Sequence, residues 1–164
     1  MRILYAIIFL TLFYFDLSAQ NYTRDAGVRF GQGVVGSYRQ FYKEEMAVEL
    51  FGGFLNQGIV FGGMKEHFSD ALAHYSGNIR VYYGYGVHTG FNYTNKYRVL
   101  NRQYRYDWKF SPLFGLDGIA GIEYIFPEVP LLVSFDINPS FEFSLNRIFE
   151  LNVFDITFLI KYRF

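Results

Sequence analysis

The chain has no cysteine, only four prolines and a formal net charge of +0 over its 164 residues. The missing cysteine excludes disulfides, thiolate metal sites and the lipidated cysteine that anchors some exported proteins. The missing net charge removes the long-range pull that a nucleic-acid partner needs, so none is expected. After Gln20 no apolar run approaches the roughly 20 residues of a membrane helix, and any insertion into a bilayer has to be by strands. His67, His74 and His88 fall on two separate strands and a connection. They do not converge as metal ligands, and neither a metal nor another cofactor is expected.

What the sequence has in quantity is aromatic residues and glycine, with 15 Tyr, 20 Phe and 16 Gly. This composition favours strands whose backbones approach closely, not a helical bundle. The N-terminus reads differently: Arg2 precedes a mostly apolar run from Ile3 to Phe15, followed by Asp16-Leu17-Ser18-Ala19 before Gln20. That is the pattern of a secretory signal peptide over residues 1–19, leaving 20–164 as one mature domain.

The last stretch, Asn152 to Phe164, fixes the architecture. Phe154, Ile156, Phe158, Ile160, Tyr162 and Phe164 alternate with Val153, Asp155, Thr157, Leu159, Lys161 and Arg163, a period of two. A strand of this length suits one tilted across a bilayer, where roughly 9–11 residues are needed. One face suits lipid and the other a polar lumen. Similar strands are expected over 26–31, 34–42, 46–54, 59–68, 78–93, 113–126 and 131–143. With the terminal strand they make about eight, an all-β, closed, antiparallel, up-and-down transmembrane barrel. Phe158, Ile160, Val133, Phe135, Tyr83 and Val87 are expected to face lipid. Ser69 to Gly77 reads as a polar connection with one helical turn near Ala71-Leu72-Ala73, and Thr94 to Ser111 as a long loop, part of which is expected to extend the flanking strands.

Several segments carry a resemblance. Tyr82-Tyr83-Gly84-Tyr85-Gly86-Val87-His88, Gly115-Leu116-Asp117-Gly118, Gly121-Ile122-Glu123-Tyr124, Phe126-Pro127-Glu128-Val129-Pro130-Leu131 and Ser134-Phe135-Asp136, with a C-terminal aromatic residue, resemble a family of small outer-membrane β-barrels of Gram-negative bacteria, similar in architecture to OmpA/OmpX-type barrels. The resemblance implies residence in the bacterial outer membrane after export, contact with its lipid and lipopolysaccharide, insertion by the barrel-assembly machinery, and a monomer. An even strand number then puts both ends of the mature chain in the periplasm and the long Thr94–Ser111 connection outside the cell.

Inward positions suggest two charged layers. Glu49, Glu66, Arg80, Glu123, Lys161 and Arg163 fall low on their strands and are expected to pair into a network that closes the lumen, because an isolated buried charge is strongly disfavoured. Arg29, His88, Asp117 and Asp155 are expected to form a second layer nearer the outside. His88, Ser134 and either Asp117 or Asp136 have the residue types of a hydrolase triad, as a lipid-modifying barrel would need, but alternation says nothing of their distances. Ser134 also lies only a few residues from the periplasmic turn. The loop residues Lys96, Arg98, Arg102, Arg105, Trp108 and Lys109 are candidates for contact with lipopolysaccharide phosphates or a surface partner; the same residue types also suit a solvated loop and an interfacial aromatic girdle.

Gly31-Gln32-Gly33-Val34-Val35-Gly36 matches a dinucleotide fingerprint, but strand-like residues follow where the phosphate-binding helix belongs. The functional reading is therefore a non-enzymatic integral outer-membrane protein with a structural or loop-mediated interaction role. The alternatives are a lipid A- or phospholipid-modifying deacylase or acyltransferase, a narrow pore, and a secreted barrel binding an apolar ligand. The last would expose the aromatic outer face to water.

Overall fold

The computed structural model describes residues 23–55, 58–72, 76–99, 102–144, 147–152 and 155–164, with the backbone alone over 92–111 and 147–152. The expected signal peptide, residues 1–19, lies outside these. Ten strand segments follow in order: β1 (Arg24–Phe30), β2 (Gly33–Lys43), β3 (Met46–Leu55), β4 (Gly58–Ser69), β5 (Ile79–Val99), β6 (Arg102–Ile125), β7 (Leu131–Ile137), β8 (Ser140–Ser144), β9 (Arg147–Asn152) and β10 (Ile156–Arg163).

All neighbours are antiparallel, and β1 pairs with both β2 and β10, so the sheet closes. At the seam Phe164 N donates to Arg24 O at 2.9 Å and Arg24 N to Phe164 O at 3.2 Å. Segments β7 and β8 both pair with β6, while β9 pairs with β8 and β10 with β7. They are two barrel strands, each broken once, and the barrel is eight-stranded. The break follows from Pro139, which has no N–H to give a ladder. Its carbonyl instead accepts from Gly118 N at 2.8 Å, while Asn138 N donates to Asp155 O at 2.8 Å.

The Thr94–Ser111 segment departs from expectation, since most of it is strand. The β5–β6 ladder runs on through Thr94↔Lys109, Lys96↔Arg105 and Val99↔Arg102, with one register shift. Among the described residues, pairing here continues past the partners in β4 (Gly58↔Asn92) and β8 (Leu113↔Ser144). Alternation of apolar and polar residues reports two different environments for two faces; it says little about a ribbon whose backbone pairs without them. In the β4–β5 connection Ser76 N donates to Leu72 O at 3.2 Å, and Ala73 of the expected helical turn lies outside the described residues. The glycine-rich 31–36 segment is a turn entering β2, with Gly31 N donating to Gly33 O at 3.1 Å.

The faces divide as the period-two pattern requires. Leu50, Phe54, Phe61, Phe114, Ile122 and Phe143 are exposed, as are Phe158, Ile160, Phe135, Tyr83 and Val87. Val133 shares their phase but is half-buried between its register neighbours Tyr124 and Ile160. A continuous apolar wall of this kind is untenable in water and is what a bilayer requires of a barrel. Inside, Leu132, Leu159, Glu49, Glu66 and Asp136 have no exposed surface at all. The protein is a transmembrane β-barrel turned apolar outward and charged inward.

Candidate functional site: the charged lumen

At the end of the barrel that carries the chain termini, Arg39 of β2 is the centre of the lumen. Its Nε donates to Asp25 at 2.8 Å, and its other nitrogens reach Glu66 at 3.3 Å and Glu123 at 2.9 Å. Glu123 also accepts from Arg80 Nε at 3.0 Å. Both guanidinium groups lie over the same two rings, Arg39 at 4.8 Å from Phe68 and 5.0 Å from Phe41, Arg80 at 5.0 and 5.3 Å. Ring faces are negative, so they stabilise cations that carboxylates alone do not surround.

A second group interlocks with the first. Lys161 Nζ donates to Glu49 and lies 3.3 Å from Asp25, and Arg29 donates to Glu49 at 2.8 Å. Arg29 Nε is 4.0 Å from Asp136, which accepts from Tyr82 and from Thr157 at 3.3 Å. Asn138 in turn donates to Thr157 at 2.8 Å. Each of the eight barrel strands thus contributes a polar side chain to one connected set. Gly121 makes this possible on β6: a Cβ there would meet Asp136 and sit 3.1 Å from Tyr82 Cζ.

Of the residues expected in the lower layer, Glu49, Glu66, Arg80, Glu123 and Lys161 are brought together. Arg163 lines a cavity of about 480 Å³ at the mouth, beside Arg80, Lys43 and Phe41. Two of the most connected members, Asp25 and Arg39, escape the sequence reading. The signal for Arg39 was present, since Val35, Ser37 and Arg39 share the buried phase of β2. Asp25 escapes it because the expected first strand begins at Ala26, two residues after the observed start at Arg24.

The upper layer is smaller than expected. Arg29 joins the lower network through Glu49, leaving His88 and Asp117 with Glu142. His88 Nδ1 sits 2.7 Å from Asp117 and Nε2 3.5 Å from Glu142. Gly115, directly opposite in the ladder, leaves room for the imidazole, which a Cβ at that position would overlap. Asp155 and Asn138 line the same cavity of about 90 Å³ with His88, Asp117 and Glu142.

This geometry does not assemble the triad considered above. A general base needs a nitrogen lone pair directed at the nucleophile, and both nitrogens of His88 face carboxylates. Ser134 is far away. Its β6 partner is Glu123 and that of His88 is Gly115, so roughly 27 Å of strand separates them at ~3.4 Å per residue. Asp136, the other carboxylate considered, is engaged by Tyr82 and Thr157. Among the described residues no group of three His, Cys, Asp or Glu side chains is placed to hold a metal ion. In the outer ribbon, Lys96 and Arg105 are register partners, as are Thr94 and Lys109, Arg98 and Gln103, and Val99 and Arg102, with Trp108 at the register shift.

Comparison with known proteins bears on the fold. No protein family matches the sequence, and no curated protein is detectably similar to it. Among solved structures, the N-terminal β-barrel domain of Pseudomonas aeruginosa OprF superposes with a TM-score of 0.54 and 14% identity, over 88% of this chain and 100% of that domain. The likeness is one of fold: both are closed antiparallel β-barrels.

Proposed function

We propose that this protein is a non-enzymatic integral outer-membrane barrel with a closed lumen, acting as a structural element or through the surface it presents beyond the membrane. The observation that carries the reading is the connected ion-pair network, to which every barrel strand contributes. An eight-stranded interior is only wide enough for side chains, and here those side chains are held to one another by charge. Formal charges inside the network nearly cancel, with Asp25, Glu49, Glu66, Glu123 and Asp136 against Arg29, Arg39, Arg80 and Lys161. No single-sign path remains for an ion.

In this reading residues 1–19 direct export and are removed, the chain termini face the periplasm, and the β5–β6 ribbon faces outward. There Lys96, Arg98, Arg102, Arg105, Trp108 and Lys109 meet lipopolysaccharide or a surface partner. An even strand number and the reach of the β5–β6 ladder support that orientation. Insertion uses the barrel-assembly machinery, and the protein is a monomer.

The test is a planar-bilayer recording on purified, heat-modifiable protein, together with a lipid A mass spectrum of cells with and without the gene. No stable single-channel steps and an unchanged lipid A profile are expected. Large steady currents would overturn the closed lumen, and loss of an acyl modification on deletion would overturn the non-enzymatic assignment.

A further inference from the structure

Among the described side chains, the ionisable groups on the barrel wall inset from the strand ends fall on one strand. Along the outward phase of β4, Ile59, Phe61 and Gly63 are followed by Lys65 and His67 before the strand ends at Ser69. Among residues with described side chains, no other outward wall position inset from a strand end carries an acid, a histidine or a basic group.

The surroundings of Lys65 provide no counter-charge. Its ladder partners are Val48 on β3 and Tyr85 on β5, and those of His67 are Met46 and Tyr83. Lys65 makes no ion pair among the described residues. The His67 ring stacks on Tyr83, with centroids 5.4 Å apart and planes at 15°, and lies 6.5 Å from Tyr85. A half-buried lysine, a histidine and two tyrosines therefore form one outward patch on β4 and β5.

Depth decides what can neutralise it. A lipid-facing lysine at the midplane of a bilayer costs about 2–4 kcal/mol, falling toward zero near the interface. Lys65 lies four residues from the end of β4, which at a strand tilt of ~40° is about 10 Å along the barrel axis. A lysine stem of about 6 Å can carry its ammonium most of that way, to headgroup level. The anion present at that level around the whole barrel is the phosphodiester of a phospholipid. An ammonium is a point-charge phosphate binder, and tyrosine hydroxyls and an imidazole N–H are further donors.

We infer that Lys65, with His67, Tyr83 and Tyr85, forms a binding site on the outer wall for the phosphate of a phospholipid in the leaflet at the terminus end. This rests on the membrane reading above, which makes that leaflet periplasmic. The site fixes one lipid against β4 and β5, whereas the rest of the wall is a uniform apolar solvent contact.

The experiment uses the purified protein refolded in detergent micelles, with palmitoyl-oleoyl phosphatidylglycerol or the corresponding phosphate-free diacylglycerol added. Retained lipid is counted by native mass spectrometry, and heat-modifiable migration reports folding. Wild type is expected to keep one phosphatidylglycerol in preference to diacylglycerol. Lys65→Met should lower that retention about tenfold, in line with loss of one charge-assisted hydrogen bond, and Lys65→Arg should keep it. Lys65→Met should also fold at least as well as wild type, because it removes a charge from the lipid face. Equal retention of the two lipids by wild type, or unchanged phosphatidylglycerol retention in Lys65→Met, would overturn the site. Failure of the wild type to insert into vesicles at all would instead overturn the membrane reading.

Discussion

The two ends of the lumen solve the problem of buried charge differently. At the terminus end Arg39 is 1% exposed and reaches three carboxylates; it shares Glu123 with Arg80 and Asp25 with Lys161, and Lys161 in turn shares Glu49 with Arg29. At the other end His88 has two carboxylates and a small cavity, and Glu142 keeps 22% of its side chain exposed. Around Arg39 the first set is desolvated and has to be satisfied by protein, with Arg80 alone of its cations reaching the cavity at the mouth, whereas the second can be satisfied in part by water. Desolvation makes a charge expensive when its partner is lost, so the same kind of contact carries more weight in the first set than in the second.

The largest effect should come from Arg39. Arg39→Met leaves Asp25, Glu66 and Glu123 competing for Arg80 and Lys161, and should cost about 3–5 kcal/mol, as removal of one member of a buried pair does. Urea unfolding in lipid vesicles, followed by heat-modifiable migration, measures it. Adding Glu66→Gln to Arg39→Met should restore part of that loss, because fewer carboxylates are then left unpaired. A double variant as unstable as the sum of the singles would show that the network does not act as a unit.

Next in size is the contrast between lumen and lipid face. Phe135→Arg should cost on the order of 2–4 kcal/mol if its position is near the midplane, although Phe135 has no polar contact to lose. The same unfolding assay applies, and normal insertion by this variant would count against the bilayer as its solvent.

The smallest change is expected at the upper end. His88→Asn should cost about 1–2 kcal/mol, since one hydrogen-bonded group is replaced by another beside a cavity that water can reach. If it proved as damaging as Arg39→Met, the distinction between a dry end and a wet end would be wrong.

Much of this was legible in the sequence, for a reason specific to the fold. A barrel in lipid has one apolar face and one polar face on every strand, so Phe158/Ile160 against Leu159/Lys161 is enough to assign inside and outside. The same rule located Glu49, Glu66, Glu123 and Lys161. What it could not supply was height along the axis relative to a different strand, which depends on register. That is how Arg29 was assigned to His88 when its ladder and length bring it to Glu49. The β5–β6 ribbon was hidden for the complementary reason: backbone pairing holds it together, and pairing leaves no mark in the side-chain pattern. Pro139 is visible as a proline, but its effect, a break between β7 and β8 where Asn138 N meets Asp155 O, depends on a partner strand that the local sequence does not specify.

The seam between β1 and β10 sets the order of events during assembly. Glu49 lies 112 residues from its partner Lys161, and Asp25 meets both Arg39 of its own hairpin and Lys161 of the last strand. Until β10 arrives, β1 has an open edge and Asp25 and Glu49 each lack their contact with Lys161. Contacts of such long sequence separation form late and slowly, and an unpaired edge in the meantime is an invitation to aggregate. The barrel consequently stays open until β10 is available, and its edge is closed only when Arg24 and Phe164 meet.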